Sequence, residues 1–411
     1  MDLSDLTGPC RPGALECLAG VPVVLQDHHT GLLLDQTVDD ALGHELGWEL
    51  RRDAAHAAWL PLLARAVEHL RAHTPVERLI ACQDLFWATG HGRMALDATA
   101  DGGTAEGEFL LHGTAWTRAY GQRLRRHHPA DAVAAGFASA AAQVASRSDR
   151  TLVAEETACV ATHASRCTFR IVPGGVPSGR QVLAADLAEA EPAPGIGNEA
   201  IASLHADLRR FTSGLAGDHR GLIEAFDVFL SRPPTNYANA VAHGAVDAIR
   251  ARSPALVPVV EGLLRECGHR GAFHTLGGVL RSPEWTALVG PIPREREAVA
   301  MACCAIARSL GYGAYSVEEI GDDRLVLVAS AEFESPWCRV VRADRCPTSS
   351  WFMQGAAIAL LELATRVDWS STAPLTDAFA AFAEPAWVAR QTESLAVGDA
   401  VSRVVVERRP S

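Results

Sequence analysis

ETACVATHASRC, residues 156–167, closes an apolar, strand-like run and sets Cys159 and Cys167 eight positions apart. The wider stretch TLVAEETACVATHASRCTFRIVP (151–173) reads as two strands about a turn, and a hairpin returns such positions to within a few ångströms of each other. Two thiols so placed are half of a tetrahedral metal site, a redox pair, or two small core residues. The chain ends on a second copy of the pattern, PAWVARQTESLAVGDAVSRVVVERR (385–409), at an offset of 235. That offset lays Thr157 on Thr392 and Ala161 on Ala396, and it lays both cysteines on serines, Ser394 and Ser402.

Working outward, each hairpin follows a small-residue helix with a central glycine: HHPADAVAAGFASAAAQVA (127–145) holds Gly136, and RCPTSSWFMQGAAIALLELA (345–364) holds Gly355. Glycine inside a helix costs up to about 1 kcal/mol against alanine, so it marks a close approach of ligand or backbone, with a tight helix crossing the simplest cause. Further upstream, AAHAAWLPLLARAVEHL (54–70) aligns Trp59, Leu63, Val67 and Leu70 on one helical face, with Pro61 near its start. REREAVAMACCAIARSL (294–310) is its expected partner in the second half, with Ala298, Ala302, Ala305 and Leu310 on the apolar side. A strand pair is expected after each, at RLIACQDLFWATGHGRMALDATA (78–100) and GAYSVEEIGDDRLVLVASAEF (313–333).

These readings predict an α+β protein built by internal duplication, each copy an antiparallel sheet packed with helices. The expected organisation is a first domain over 1–173, a Pro/Gly-rich linker over 174–198, a helical segment over 199–271 and a second domain over 272–411.

Composition narrows the function. A net charge of −12, with RLRRHH (123–128) as the basic cluster, argues against nucleic-acid binding, which needs clustered cations. The N-terminus lacks a charged-then-apolar order and no apolar run reaches about 18 residues, so neither a secretory leader nor a membrane span is expected. A cytoplasmic protein follows, whose ten cysteines remain thiols. No phosphate loop, dinucleotide fingerprint, nucleophile elbow or zinc-protease helix stands in the right context, which leaves NAD and ATP unsupported. The histidine-rich QDHHTG (26–31) reads as a solvated loop.

The glycine-centred helix, followed by Glu156-Thr157-x-Cys159, seven residues, then Cys167-x-Phe169, resembles the 4-vinyl reductase domain family. That family includes input domains of aromatic-responsive transcription regulators and relatives of L-2-amino-thiazoline-4-carboxylic acid hydrolase. GGVLRSPEW (277–285), LGYGAYSVEEI (310–320), AEFES (331–335), MQGAAIALLEL (353–363) and the pair Gly398-Asp399 extend the resemblance to the second half, over roughly 50–173 and 272–408 in all.

The resemblance implies zinc held by the two hairpin thiolates, a third cysteine five residues before the helix glycine, and an upstream carboxylate. Asp131 and Ser350 stand at the third-cysteine positions here, and Glu108, or else Glu106, is the upstream acid, with His112 as a further donor. It also implies that each copy is a curved antiparallel sheet packed with helices around a small-molecule pocket, with an aromatic ligand held there by histidine and tryptophan. On that analogy Trp87, Trp116, Trp285 and Phe333 are pocket residues, with Glu332 beside them, and His91, His112 and Glu334 are catalytic. The expected function is an enzyme of small-metabolite metabolism acting on a small organic molecule, with zinc as cofactor and a homodimer as the assembly. A non-catalytic ligand sensor and a tetrapyrrole-handling protein are the alternatives.

Overall fold

The computed structural model describes residues 3, 6–9, 15–120, 126–176, 179–187, 193–342, 350–382 and 387–409. The first half runs β1 (Thr7–Pro9), β2 (Glu16–Leu18), β3 (Val21–Val23), β4 (Gln26–Asp27), α1 (His28–Leu42), α2 (His44–His69), α3 (Pro75–Ala88), β5 (Ala95–Thr99), β6 (Gly102–Gly107), α4 (Leu111–Tyr120), α5 (Ala132–Ser146), β7 (Leu152–Ala158) and β8 (Cys167–Pro173). It continues with α6 (Asn198–Thr212), β9 (Ile223–Ala225), β10 (Val228–Ser231), α7 (Thr235–Arg252), α8 (Val257–Arg281), α9 (Pro283–Leu288) and α10 (Arg296–Ser309). The last elements are β11 (Gly313–Ile320), β12 (Arg324–Glu332), α11 (Glu334–Val341), α12 (Trp351–Thr365), α13 (Leu375–Ala381), β13 (Trp387–Glu393) and β14 (Ser402–Arg408).

The fold is α+β, with small antiparallel sheets packed against helices. Two four-stranded sheets share one strand order: β5-β6-β8-β7 and β11-β12-β14-β13. Their closing hairpins pair in the same register at the offset of 235, each with a bulge at the matching place, between Glu156 and Ala158 and between Gln391 and Glu393.

Behind each sheet a helix pair crosses at its glycine. A Cβ on Gly136 would stand 2.3 Å from the Arg52 carbonyl oxygen, and one on Gly355 would stand 2.1 Å from that of Arg265. Those distances are far below any real contact, so only glycine lets α5 lie on α2 and α12 lie on α8. His56 and His269 occupy matching places four residues on from these arginines.

Several expectations need correction. Residues 78–88 are helix, not strand: Thr74 and Glu77 form a capping box, Pro75 opens α3, and Arg78, Ala81, Cys82, Leu85 and Phe86 bury one face at helical spacing. It is therefore α3 that stands before the first sheet as α10 stands before the second, while α8 answers α2. Pro61 sits well inside α2, which begins at His44. The 199–271 segment contains the β9–β10 hairpin, and its boundary with 272–411 falls within α8.

The halves interlock. β4 pairs with β10, and α7 joins the core of the first half through Val241, Ala245 and Val246. Within the linker, Val182 exchanges backbone hydrogen bonds with the Asn236 side chain, and Ile196 bridges Val317. His28 and His29 open α1 under an Asp27 cap rather than lying in a solvated loop. Cys17 is disulfide-bonded, against the expectation of thiols throughout, while Cys82, Cys159, Cys167, Cys267, Cys303 and Cys304 are free. Arg123 to Arg125 of the basic cluster lie outside the described residues. No helix among the described residues is long and apolar enough to cross a membrane.

Candidate functional site

Where β7 turns into β8, four side chains converge beneath the N-terminus of α5. In a regular strand Glu156 and Cys159, three apart, would point to opposite faces. The bulge after Glu156 restores them to the same side. Asp131, the residue before α5, completes the group with Cys167, and the ligand atoms of all four lie within 4.8 Å of one another. Cys167 Sγ lies 3.1 Å from Asp131 Oδ2 and 3.9 Å from Cys159 Sγ, which in turn is 3.8 Å from Asp131 Oδ2. An S–S separation of 3.9 Å is no disulfide.

The surrounding donors are backbone amides. Gly113 N–H reaches both Asp131 oxygens at 3.1 Å, Asp131 N–H donates to Glu156 Oε2 at 2.9 Å, and the amides of Ala130 and Val160 each approach a cysteine sulfur at 3.4 Å. Glu156 Oε1 is shielded from solvent and has no hydrogen-bond partner among the described residues. Burial raises Asp131, and burial together with the charge of Asp131 raises Glu156 well above the usual carboxylate range. The hydrogen bond to Cys159, and then burial, raise Cys167. Asp131, Glu156 and Cys167 are thus pushed toward their protonated forms, while the hydrogen bond with Cys167 lowers Cys159.

Glu108 and Glu106 do not belong to this group. Both lie on the surface and pair with Arg166, at 3.6 and 3.1 Å, because Arg166 in the hairpin turn draws them outward. Glu156 takes the carboxylate place, and the signal for it was its position in the same strand as Cys159.

His91 and His112 line a separate small cavity of about 20 Å³, together with His28, Tyr237, Ser231 and Gln26. His112 Nδ1 stands 2.8 Å from Asp35 Oδ2, and the fully buried Arg51 lies against Asp35 and Asp39. Burial alone would lower His112, but the Asp35 carboxylate outweighs it and raises the group. Burial, then the charge of His112, pushes His91 down to about 3, so His91 is neutral. Asp35, Gln26 and Tyr237 carried no sequence signal, since each meets the histidines only through the fold.

A second cavity, about 90 Å³, lies between α8, α10, the β11–β12 hairpin and α12. Phe333, Phe352, Met353, Cys304, Tyr312 and Tyr315 are among its walls. Phe333, expected as a pocket residue, lines this cavity. Glu334, expected as a catalytic residue, lies against the start of α12, where its carboxylate accepts the amides of Phe352 and Met353 at 3.2 and 3.1 Å. Glu332 likewise accepts Ser335 N–H at 3.0 Å, together with the Ser335 hydroxyl.

The remaining pocket residues are dispersed. Trp285 is 1% exposed in the second core, Trp87 donates Nε1–H to the Asp218 carbonyl at 2.6 Å, and Trp116 packs 4.6 Å beneath the Arg126 guanidinium. Each is held by packing or by a backbone partner, so none converges on a common pocket.

No family model and no curated protein matches the chain, so the 4-vinyl reductase resemblance has no family match behind it. Among solved structures, the chain is similar to the phenol-responsive sensory domain of the transcription activator PoxR with phenol, at 18% identity and a TM-score of 0.33. The match covers 39% of this chain and 80% of that one.

Proposed function

We propose that the chain is a small-molecule-binding protein whose binding chamber is the apolar cavity of the second half. The observation that carries this reading is the cavity itself: an interior space of about 90 Å³ in a core otherwise closely packed, walled by aromatic and sulfur-bearing side chains. Apolar cavities of this order stay dry and take up apolar guests. The ligand is a small organic molecule, and binding rather than turnover is the better-supported role. His91 and His112 line the other cavity, and Glu334 is engaged as a helix cap.

Calorimetry with toluene tests this reading, comparing the natural chain with Ala356→Phe, which places a ring where Ala356 now lines the space. Binding lost in the variant supports it; binding unchanged overturns it.

A second element is zinc, held by Asp131, Glu156, Cys159 and Cys167. The residues fit the metal: a tetrahedron with zinc–sulfur bonds of about 2.3 Å and zinc–oxygen bonds of about 2.0 Å has edges of roughly 3.3–3.8 Å, close to the spacings seen. The unpartnered Glu156 Oε1 and the crowded acids are what a divalent cation would satisfy. Four protein donors leave no open position, so such a metal pins α5 to the hairpin rather than working on substrate. The matching sheet orders, helix crossings and hairpins further support reading the halves as copies of one ancestral domain.

A further inference from the structure

Gln26 lines both cavities. Its neighbours divide between them in consecutive pairs: Thr30 and Ala238 face the apolar chamber, Gly31 and Tyr237 the polar one. The partition is therefore one side chain thick at Gln26. Its backbone is fixed in β4, opposite Ser231 of β10. Its carboxamide, on a residue 8% exposed, lies between the two cavities.

The adjacent Asp27 is fully engaged, taking His29 N–H, Thr30 N–H and the hydroxyls of Thr30 and Thr275. A buried polar atom without partners is uncommon and costly, so it marks a place completed by something else. Two polar atoms on residues lining the small chamber are in this condition: His91 Nε2, on a residue 2% exposed, and Tyr237 Oη, on one 5% exposed.

We propose that the two cavities are one binding site spanning both halves of the chain, partitioned by Gln26. Its ligand has an apolar body about one ring in size and a short neutral head that both donates and accepts a hydrogen bond. This rests on the apolar cavity being a ligand chamber. The smaller space, about 20 Å³, holds a water or a one- to two-atom head but no body. The His91 ring is neutral, with one ring nitrogen a donor and the other an acceptor, so the unpartnered Nε2 needs a head that can meet either role. Tyr237 Oη donates or accepts in turn. A hydroxyl or primary amide satisfies both, whereas a carboxylate only accepts and would be an ionised group in a desolvated space.

The test is calorimetry on the full chain with toluene, benzyl alcohol and benzoate, in the natural protein and in Tyr237→Phe and Gln26→Ala. Benzyl alcohol is expected to bind about tenfold more tightly than toluene, as one good hydrogen bond allows, with benzoate the weakest. Tyr237→Phe is expected to erase that preference and leave toluene unchanged. Gln26→Ala is expected to change benzyl alcohol binding more than toluene binding. Equal binding of toluene and benzyl alcohol, or a preference that survives Tyr237→Phe, overturns the shared site while the apolar chamber stands. Absence of toluene binding, or toluene binding that Ala356→Phe does not alter, overturns the chamber and the shared site together.

Discussion

The two hairpin corners are the same backbone carrying opposite chemistry. In the first half Asp131 N–H donates to Glu156 Oε2 at 2.9 Å, and in the second Ser350 N–H donates to Gln391 Oε1 at 2.6 Å. Val160 N–H meets Cys167 Sγ at 3.4 Å, and Leu395 N–H meets Ser402 Oγ at 3.1 Å. Asp131, Glu156, Cys159 and Cys167 thus correspond to Ser350, Gln391, Ser394 and Ser402. Every ionisable group of the first corner is a neutral hydrogen-bonding group in the second. In the second corner the carboxylates come from elsewhere, Asp399 accepting Ser394 N–H at 2.7 Å and Glu332 accepting the Ser350 hydroxyl at 3.4 Å, so what sets the first corner apart is four ionisable groups gathered on one another.

The sharpest way to break that comparison is to remove the cation. One zinc per chain is expected by native mass spectrometry, lost in Cys159→Ser/Cys167→Ser. Stripping it should cost at least about 4 kcal/mol, because structural zinc contributes directly to folding. In a unit of 150–250 residues that lowers the melting temperature by about 10 °C. Ser394→Cys/Ser402→Cys should bind zinc far more weakly than the first corner, since Ser350 and Gln391 supply no anionic donor and the nearby Asp399 and Glu332 carboxylates are already engaged by backbone amides. A metal-free natural chain with an unchanged melting point would reduce the four acids to relics.

The helix crossings test whether the likeness extends beyond the corners. Gly136→Ala and Gly355→Ala each drive a methyl into a facing backbone, so each should destabilise by about 3 kcal/mol in chemical denaturation. A cost confined to one of them would show that the two crossings are not equivalent.

These crossings also show what the sequence made legible. Gly136, Gly355 and the offset of 235 were readable because helix glycines and alternating strands leave local marks. The pairing of α2 with α8 was not, although an arginine followed four residues later by a histidine, Arg52/His56 and Arg265/His269, stood in both. The segment 78–88 was misread because its apolar content suits a strand, while the Thr74–Glu77 box that settles it lies just outside. Glu156 escaped as a donor because only a bulge brings it round to Cys159, and a bulge is a property of the ladder rather than of any one residue.

A finer difference lies in those matched histidines. His56 meets Ser139 at 2.8 Å, and burial pushes it down to about 4. His269 meets Glu362 at 2.8 Å; burial would lower it, but Glu266 and Glu362 raise it to about 9. Their linkages have opposite signs. The folded pKa of His56 lies below its unfolded value of about 6.5, so its contribution is present above pH 6.5 and is lost as the pH falls toward about 4. His269 contributes fully below pH 6.5 and loses that contribution as the pH rises through about 9. Stability measured against pH for His56→Gln and His269→Gln should diverge from the natural chain at opposite ends, by up to about 3 kcal/mol. Parallel curves would contradict the assignment.

The smallest expected effect concerns Glu334. It lies beside the apolar cavity in sequence, next to Phe333, yet its oxygens are consumed by the first amides of α12. Burial, then the neighbouring Glu332, raise its carboxyl well above the usual range, so the fold favours a neutral group there. Glutamine is neutral and keeps one oxygen in place to accept an amide. Glu334→Gln should therefore cost under about 1 kcal/mol, within the range of a modified helix cap, and leave toluene binding unaltered. Glu334→Ala removes both acceptors and should cost about 1–2 kcal/mol. If Glu334→Gln instead abolished binding while the melting point held, Glu334 would have to face the ligand. The second half would then have exchanged the metal corner of the first for a working carboxyl.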